Sequence, residues 1–389
     1  MKSILVVYNE IPYHLSHGGN IRVFYLLKEL SRYYDVTLLA LLNKRGYPIP
    51  VALKKLCNVI IAPCFVEDFL RNKGFLRYFT KAMYFKLERA FPLFKSKLLI
   101  NYNYQRFCLN KALKKILNHK KFDYIQVEHS YLGYALNNIN TNAIKILDFH
   151  NVHSYMKNNP KELKLIRKYE KELANKFDVA ICCSQADKKR LENLGYKKIL
   201  IVQNGVDTEY FREVPYSKPS SLLFVGDLTY LPNREGIKYF LKEIYSLLPL
   251  NIKVNIIGKY NLKDFKNERT LKNVKFFGYV RDIRHYFKNS VFICPLLNGG
   301  GTRLKILTAF SSGVPVVSTR KGAEGIDYKD KRDIYIADTP QVFAKIIKDI
   351  FNNPKNSYII RRNARKLAES KYEWGKIVKK YNQELEGVK

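Results

Sequence analysis

Apolar and polar positions along this chain follow two periods that take turns. Residues 4–8 form an unbroken apolar run, the pattern of a strand covered on both faces. After a loop, Val23, Leu26, Leu27 and Leu30 fall at i, i+3, i+4 and i+7, which predicts a helix with Asn20 placed to cap it. Residues 36–42 read as the next strand, and 124–127, 144–147, 179–182 and 199–202 continue the series. Between them, residues 161–176 read as a charged helix with i, i+4 pairs such as Glu172 with Lys176. A polar stretch at 214–221, rich in proline and serine, interrupts the rhythm and reads as a linker. The rhythm then resumes with strands at 222–225, 254–257, 274–277 and 291–295 and helices at 237–248 and 283–288. A glycine loop, a helix from about Thr302 and a strand at 314–319 follow. Two such runs predict an α/β protein of two doubly wound, Rossmann-like domains with mainly parallel sheets, facing across a cleft. Ligands of such sheets bind at the carboxyl ends of the strands.

Composition narrows the class. The chain has 389 residues, and an apolar fraction of 47% excludes disorder and low complexity. Six cysteines (Cys57, Cys64, Cys108, Cys182, Cys183 and Cys294) make no C-x-x-C pair and no cluster with histidine. That argues for a reducing compartment and against structural zinc or a disulfide frame. The N-terminal apolar run is too short for a signal peptide, and no run approaches the roughly 18 residues a membrane span needs. The expected location is cytoplasmic, with peripheral attachment to the inner membrane face.

Charge changes the picture further. The net charge is +35, and residues 71–121 alone hold 14 Lys+Arg against the single acid Glu88. Such an excess suits an anionic membrane, nucleic acid or acidic substrates, and equally a lysine-rich composition with no function attached. Within 71–121, Phe75, Phe79, Met83 and Phe85 interleave with Arg77, Lys81, Lys86 and Arg89. That is the pattern of a membrane-docking surface, or of a core helix pair with a solvated basic face. No RNA- or DNA-binding motif is present, and cations spread over both halves suit generic attraction better than base readout, so no specific nucleic-acid partner is expected.

Three places can carry chemistry. Gly18 and Gly19 stand between the first strand and its helix, where small residues admit a ligand to the backbone or simply make a tight turn. The loop 298–301 runs into a helix start that carries Arg303 and Lys305, and cations oppose the positive end of a helix. An anion beside them would explain the placement; side chains turned to solvent would too. His150, in "DFHNVHS", lies at the carboxyl end of a strand as a candidate donor or base, or as a structural histidine. "QVEHS" brings Glu128 and His129 to the end of an earlier strand.

Taken in order, these segments resemble the GT-B-fold retaining glycosyltransferases of family 4, and most nearly the branch found in bacterial surface-polysaccharide clusters. The resemblance rests on "NEIPYHLSHGGNIRVFYLLKEL", "DFHNVHS", "CSQADKKRLENLG", "VQNGVDTEYF", "FVGDLTYLPNREGIKYF", "VKFFGYVRDIRHYF" and "CPLLNGGGTRLKILTAFSSGVPVVSTRKGAEGI". It implies an acceptor-binding domain over 1–213, a linker over 214–221, a nucleotide-sugar domain over 222–370 and a last helix, 371–389, that returns to the first domain with Trp374. It implies transfer from a nucleotide-diphosphate sugar to a lipid-linked or saccharide acceptor, with no tightly bound cofactor or metal. Arg303 and Lys305 would neutralise the diphosphate, and His150 would reach the transferred sugar. Gly18, Gly19, Gly226, Asn233, Gly300, Gly301, Thr302, Thr308 and Glu324 would line the donor site, and Asn204, Gly205 and Asp207 would close the first domain. The chain departs from the family twice. Gly300 and Thr308 stand where many members carry the two glutamates of E-x7-E, the second of which accepts from ribose hydroxyls. Glu235, beside Arg234, stands where many place a lysine. A degenerate member serving as a membrane- or nucleic-acid-binding scaffold is the competing expectation.

Overall fold

The computed structural model describes residues 1–13, 17–42, 49–63, 97–156, 160–215, 217–268, 271–299 and 301–388. They form two compact units, Met1–Val202 with Val378–Lys389, and Gln203–Ile377. Phe75, Arg77, Phe79, Lys81, Met83, Phe85, Lys86 and Arg89 of the basic segment, and Cys64, lie outside the described residues.

In the first unit, seven strands make one parallel sheet in the order β3-β2-β1-β4-β5-β6-β7. They are β1 (Ser3–Tyr8), β2 (Asp35–Leu42), β3 (Asn58–Pro63), β4 (Tyr124–Glu128), β5 (Ile144–Phe149), β6 (Val179–Cys182) and β7 (Ile199–Ile201). Ile4 lies opposite Val36 on one side and Tyr124 on the other. With neighbours on both edges and helices on both faces, β1 buries every residue after Ser3, which is why its sequence is unbroken rather than alternating. The helices are α1 (Gly18–Leu30), α2 (Val51–Leu56), α3 (Lys97–Leu117), α4 (Pro160–Leu173) and α5 (Gln185–Glu192).

The second unit repeats the plan with β8 (Ser221–Val225), β9 (Lys253–Ile257), β10 (Val274–Phe276), β11 (Ser290–Cys294), β12 (Val316–Ser318) and β13 (Tyr335–Ile336), in the order β10-β9-β8-β11-β12-β13. Its helices include α6 (Leu231–Tyr239), α7 (Leu304–Ser311), α8 (Pro340–Asn352) and α9 (Asn356–Lys371). The last helix, α10 (Trp374–Glu386), begins among residues of the second unit and ends among those of the first. In each sheet the strand order reverses once, between β1 and β4 and between β8 and β11. Crevices at such reversals are where open α/β sheets bind ligands.

Several expected boundaries move. Asn20 does not cap α1: His17 does, its imidazole accepting from the Asn20 amide, so Gly18 and Gly19 form the first turn of the helix. The helix expected from Thr302 begins at Leu304 with Arg303 in the cap position, where φ and ψ are non-helical. The helix expected over 237–248 starts at Leu231 and passes through a π-helical turn at Phe240–Ile244, and that over 283–288 is a single 3₁₀ turn, Arg284–Phe287. Lys176 falls beyond the end of α4. It bonds Asn137 rather than Glu172, which lies 4.0 Å from Lys168 instead. No helix among the described residues is long and apolar enough to cross a membrane.

Candidate functional site

At the reversal of the second sheet, Gly226 directly follows β8 and β11 runs into the loop before α7. Lys305, in the first turn of α7, donates from Nζ to Asn233 Oδ1 at 2.7 Å and lies 4.3 Å from the centroid of the Phe224 ring. Asn233 is held for this by its own amide, which donates to the Asp227 carbonyl at 2.7 Å. Gly226 makes the approach possible: a Cβ there would stand 2.5 Å from Lys305 Nζ and 3.0 Å from Asn233 Nδ2. Among the described residues no carboxylate pairs with Lys305. Burial lowers its ammonium to about 8; the Cys294 thiol opposes the shift and Arg303 adds to it. A cation kept half-buried without a counter-ion is costly, and an incoming anion would repay that cost.

Arg303 is buried and donates from Nη2 to the Asn298 carbonyl at 3.3 Å. Asn298 is gripped again at its side chain by Glu235 at 2.5 Å. Gly299, between them, has φ of 101° and packs on Arg303 and Pro232. Glu235, which replaces a family lysine, therefore ties down the glycine loop rather than offering charge to a ligand. Gly301 also takes a positive φ, and Gly300 lies outside the described residues. Thr302 Oγ1 is buried with no partner among the described residues, and Gly325 packs directly on Thr302. Glu324, next to that glycine, is tied to Lys321 at 2.5 Å. Thr308 turns its hydroxyl back onto its own helix, to the Leu304 carbonyl at 3.0 Å. The structure thus brings Gly226, Asn233 and Lys305 into contact, sets Arg303 under the glycine loop, and leaves Thr308 and Glu324 with local partners.

The reversal of the first sheet is built differently. Asp148, at the end of β5, holds the Arg22 guanidinium in a fork, with Nε to Oδ2 at 2.8 Å and Nη2 to Oδ1 at 3.1 Å, and both groups are buried. Arg22 also reaches the Val202 carbonyl at 2.8 Å. His150 Nε2 lies 2.7 Å from Glu128 Oε2, and the His129 ring, at φ of 72°, lies 3.8 Å from the His150 ring. Burial raises Asp148 to about 6 against the pull of Arg22, with Glu128 adding to the rise. Burial also raises Glu128, with Arg22 opposing. It lowers His150 to about 4 against Asp148. Gly19 packs on the Tyr8 hydroxyl and the His17 ring. Tyr8 in turn donates to Asn20 at 2.9 Å. Ligand atoms of Glu128, Asp148 and His150 lie within 4.8 Å of one another. The fork from Arg22 occupies both oxygens of Asp148, so the set is spent on protein partners and poorly suited to a metal ion.

The strand-end positions of "QVEHS" and "DFHNVHS" point to Glu128 and His150 meeting at one edge, but not to their bond, and the Arg22–Asp148 fork, which joins segments far apart in the chain, went unread. The one available signal was an arginine inside the apolar face of α1.

Comparison with known proteins bears on the fold and the family. A model described as Glycosyl transferases group 1 matches residues 219–353. A protein described as an uncharacterized 44.6 kDa protein in the cps region of Klebsiella pneumoniae is 25% identical, over 97% of this chain and 98% of its own. Among solved structures, sucrose-phosphate synthase of Thermosynechococcus elongatus superposes with a TM-score of 0.77 at 15% identity, covering 100% of this chain and 99% of its own. HepE of Anabaena in complex with UDP superposes with a TM-score of 0.70 at 14% identity, covering 100% of both chains. The architecture is that of the GT-B fold. Since the model of Glycosyltransferase Family 4 matches residues 16–210, half of the chain, the protein belongs to that family.

Proposed function

We propose that the protein is a retaining hexosyltransferase that moves a sugar from a nucleotide-diphosphate donor to a lipid-linked or surface-polysaccharide acceptor. The observation that carries this reading is Lys305, an ammonium with no carboxylate partner among the described residues, set against Gly226 and Asn233 at the reversal of a Rossmann-type sheet. In the transfer the bond from the anomeric carbon to the diphosphate breaks, the diphosphate leaves with the electron pair, and the acceptor oxygen takes its place. Lys305 and Arg303 stabilise the charge that gathers on the leaving group, the largest lever available to such a site. His150 serves the sugar. Gly18 and Gly19 let its phosphate end approach the backbone at α1. The complexes of HepE with UDP and with UDP-glucose support a nucleotide-sugar donor.

Calorimetric titration with UDP tests the donor site. Arg303→Ala and Lys305→Ala should each cost about 1.5–3 kcal/mol of affinity, the range for hydrogen bonds to charged groups. Unchanged affinity in both variants sinks the assignment. One observation favours a second reading: Thr308, in place of a ribose-binding glutamate, spends its hydroxyl on Leu304. Should no nucleoside diphosphate bind, a non-catalytic scaffold of the same fold becomes the reading.

A further inference from the structure

Glu128 is fully buried at the carboxyl end of β4, and each of its oxygens meets a protein partner. Oε1 accepts from Gln126 Nε2 at 2.7 Å, and Oε2 meets His150 Nε2 at 2.7 Å. Gln126 is itself fixed, because its Oε1 accepts the Tyr381 hydroxyl at 2.8 Å. An ionised carboxylate can only accept, so this chain has one consistent direction: Tyr381 to Gln126, Gln126 to Glu128, and His150 Nε2–H to Glu128. A neutral imidazole that carries its proton on Nε2 leaves Nδ1 bare.

We infer that Glu128 is a positioning residue for His150: it takes the Nε2 proton and holds the imidazole in the tautomer whose Nδ1 accepts a hydroxyl of the transferred sugar. This rests on the reading of His150 as the residue that serves the sugar. Among the described residues Nδ1 has no protein partner. The charged and titratable groups that face His150 are Glu128, Asp148, Arg22, His17 and His129. Burial keeps the imidazole neutral, and Arg22 and His17 reinforce it against Asp148. Burial raises the Glu128 carboxyl, while Arg22, the Gln126 amide and Asp148 oppose that rise, each favouring the accepting form. Without Glu128 the ring could carry its proton on either nitrogen, and the Nδ1 edge would donate as readily as accept.

Glu128→Gln tests the inference with almost no change of shape. Its amide oxygen still accepts from Gln126, but its NH₂ now faces His150, which must accept at Nε2 and move its own proton to Nδ1. Nitrogen-15 spectra of the full-length protein read the tautomer directly, with the His150 signals identified by their loss in His150→Asn. The expected wild-type signals are pyrrole-like for Nε2 and pyridine-like for Nδ1, exchanged in Glu128→Gln. In the same variant kcat should fall about tenfold, the order of one misdirected hydrogen bond, while KM for the nucleotide sugar and affinity for UDP stay unchanged. A wild-type proton on Nδ1, an unchanged tautomer in the variant, or an exchanged tautomer with unchanged kcat would each overturn the inference. If the variant does not fold, the wild-type spectrum alone decides. Because the tautomer is read without substrate, failure here is distinguishable from absence of transfer activity, which would sink only the transferase reading.

Discussion

Lys305 shows how one residue links burial to ligand affinity. Its ammonium is lowered to about 8 in the free protein, chiefly by burial. A bound diphosphate would favour the charged form, so its pKa in the complex lies higher. The contribution of Lys305 to affinity is then complete below about pH 8 and falls as pH rises from there to the higher pKa of the complex, and binding near pH 8 takes up protons. Calorimetry with UDP at pH 8, in two buffers of different ionisation enthalpy, should report that uptake. Lys305→Arg, which keeps its charge throughout, should abolish it. Equal heats in both buffers for the wild type would remove Lys305 from the diphosphate. Thr308 offers a companion test. Thr308→Glu should tighten UDP binding, because a carboxylate accepts from ribose hydroxyls more strongly than a hydroxyl already bonded to Leu304.

At the scale of elements, two glycines near the same crevice should answer alanine differently. A Cβ at Gly258, where φ is 142°, would stand 1.9 Å from the Gly226 carbonyl oxygen, so backbone must move. Gly258→Ala should destabilise the second unit by about 1–3 kcal/mol, read by denaturant unfolding. At Gly226 the nearest atom is instead the tip of Lys305, a flexible side chain. Gly226→Ala should fold normally and lose roughly tenfold in UDP affinity by displacing the ammonium; normal affinity would mean that Lys305 does not act from this position. The contrast also marks what a sequence discloses. The strands were legible because burial on both faces leaves unbroken apolar runs such as residues 4–8. The start of α7 was not, since Thr302 and Arg303 carry ordinary helix-compatible residues and the positive-φ glycines before them set the cap. Nor was the true cap of α1: His17 is an uncommon choice, and Asn20 is a residue type that caps more often. Lys305 and His150 could be picked out by their place at a helix start and a strand end, and Gly226 only through the family resemblance. Glu128 was legible too, at the end of a strand, whereas Phe224 and Arg22 were not, because their contacts arise from sheet order.

Over the whole molecule, the same strand order occurs twice with opposite chemistry at the reversal. The second unit offers cations at its crevice, and the first a buried set of two carboxylates, a guanidinium and imidazoles. The first unit differs in one more respect: it is discontinuous, and its last pieces, Val378–Lys389, follow the entire second unit in the chain. Val378, Tyr381 and Leu385 are buried there, and a fully buried aliphatic side chain contributes about 1.5–3 kcal/mol. A stop codon after Ile377 should therefore harm the far end of the gene product. Limited proteolysis should digest residues 1–202 and spare 203–377, and equal resistance of both would show that the first unit stands without its returning helix. During translation the order is inverted as well. The first 202 residues leave the ribosome with all seven strands but without the helix segment that completes their unit, which arrives with Tyr381 to meet Gln126 only after the second unit is made. The hydrogen-bond chain that links Tyr381, Gln126, Glu128 and His150 is thus assembled at the close of synthesis, after every residue around Gly226 and Lys305 has been made.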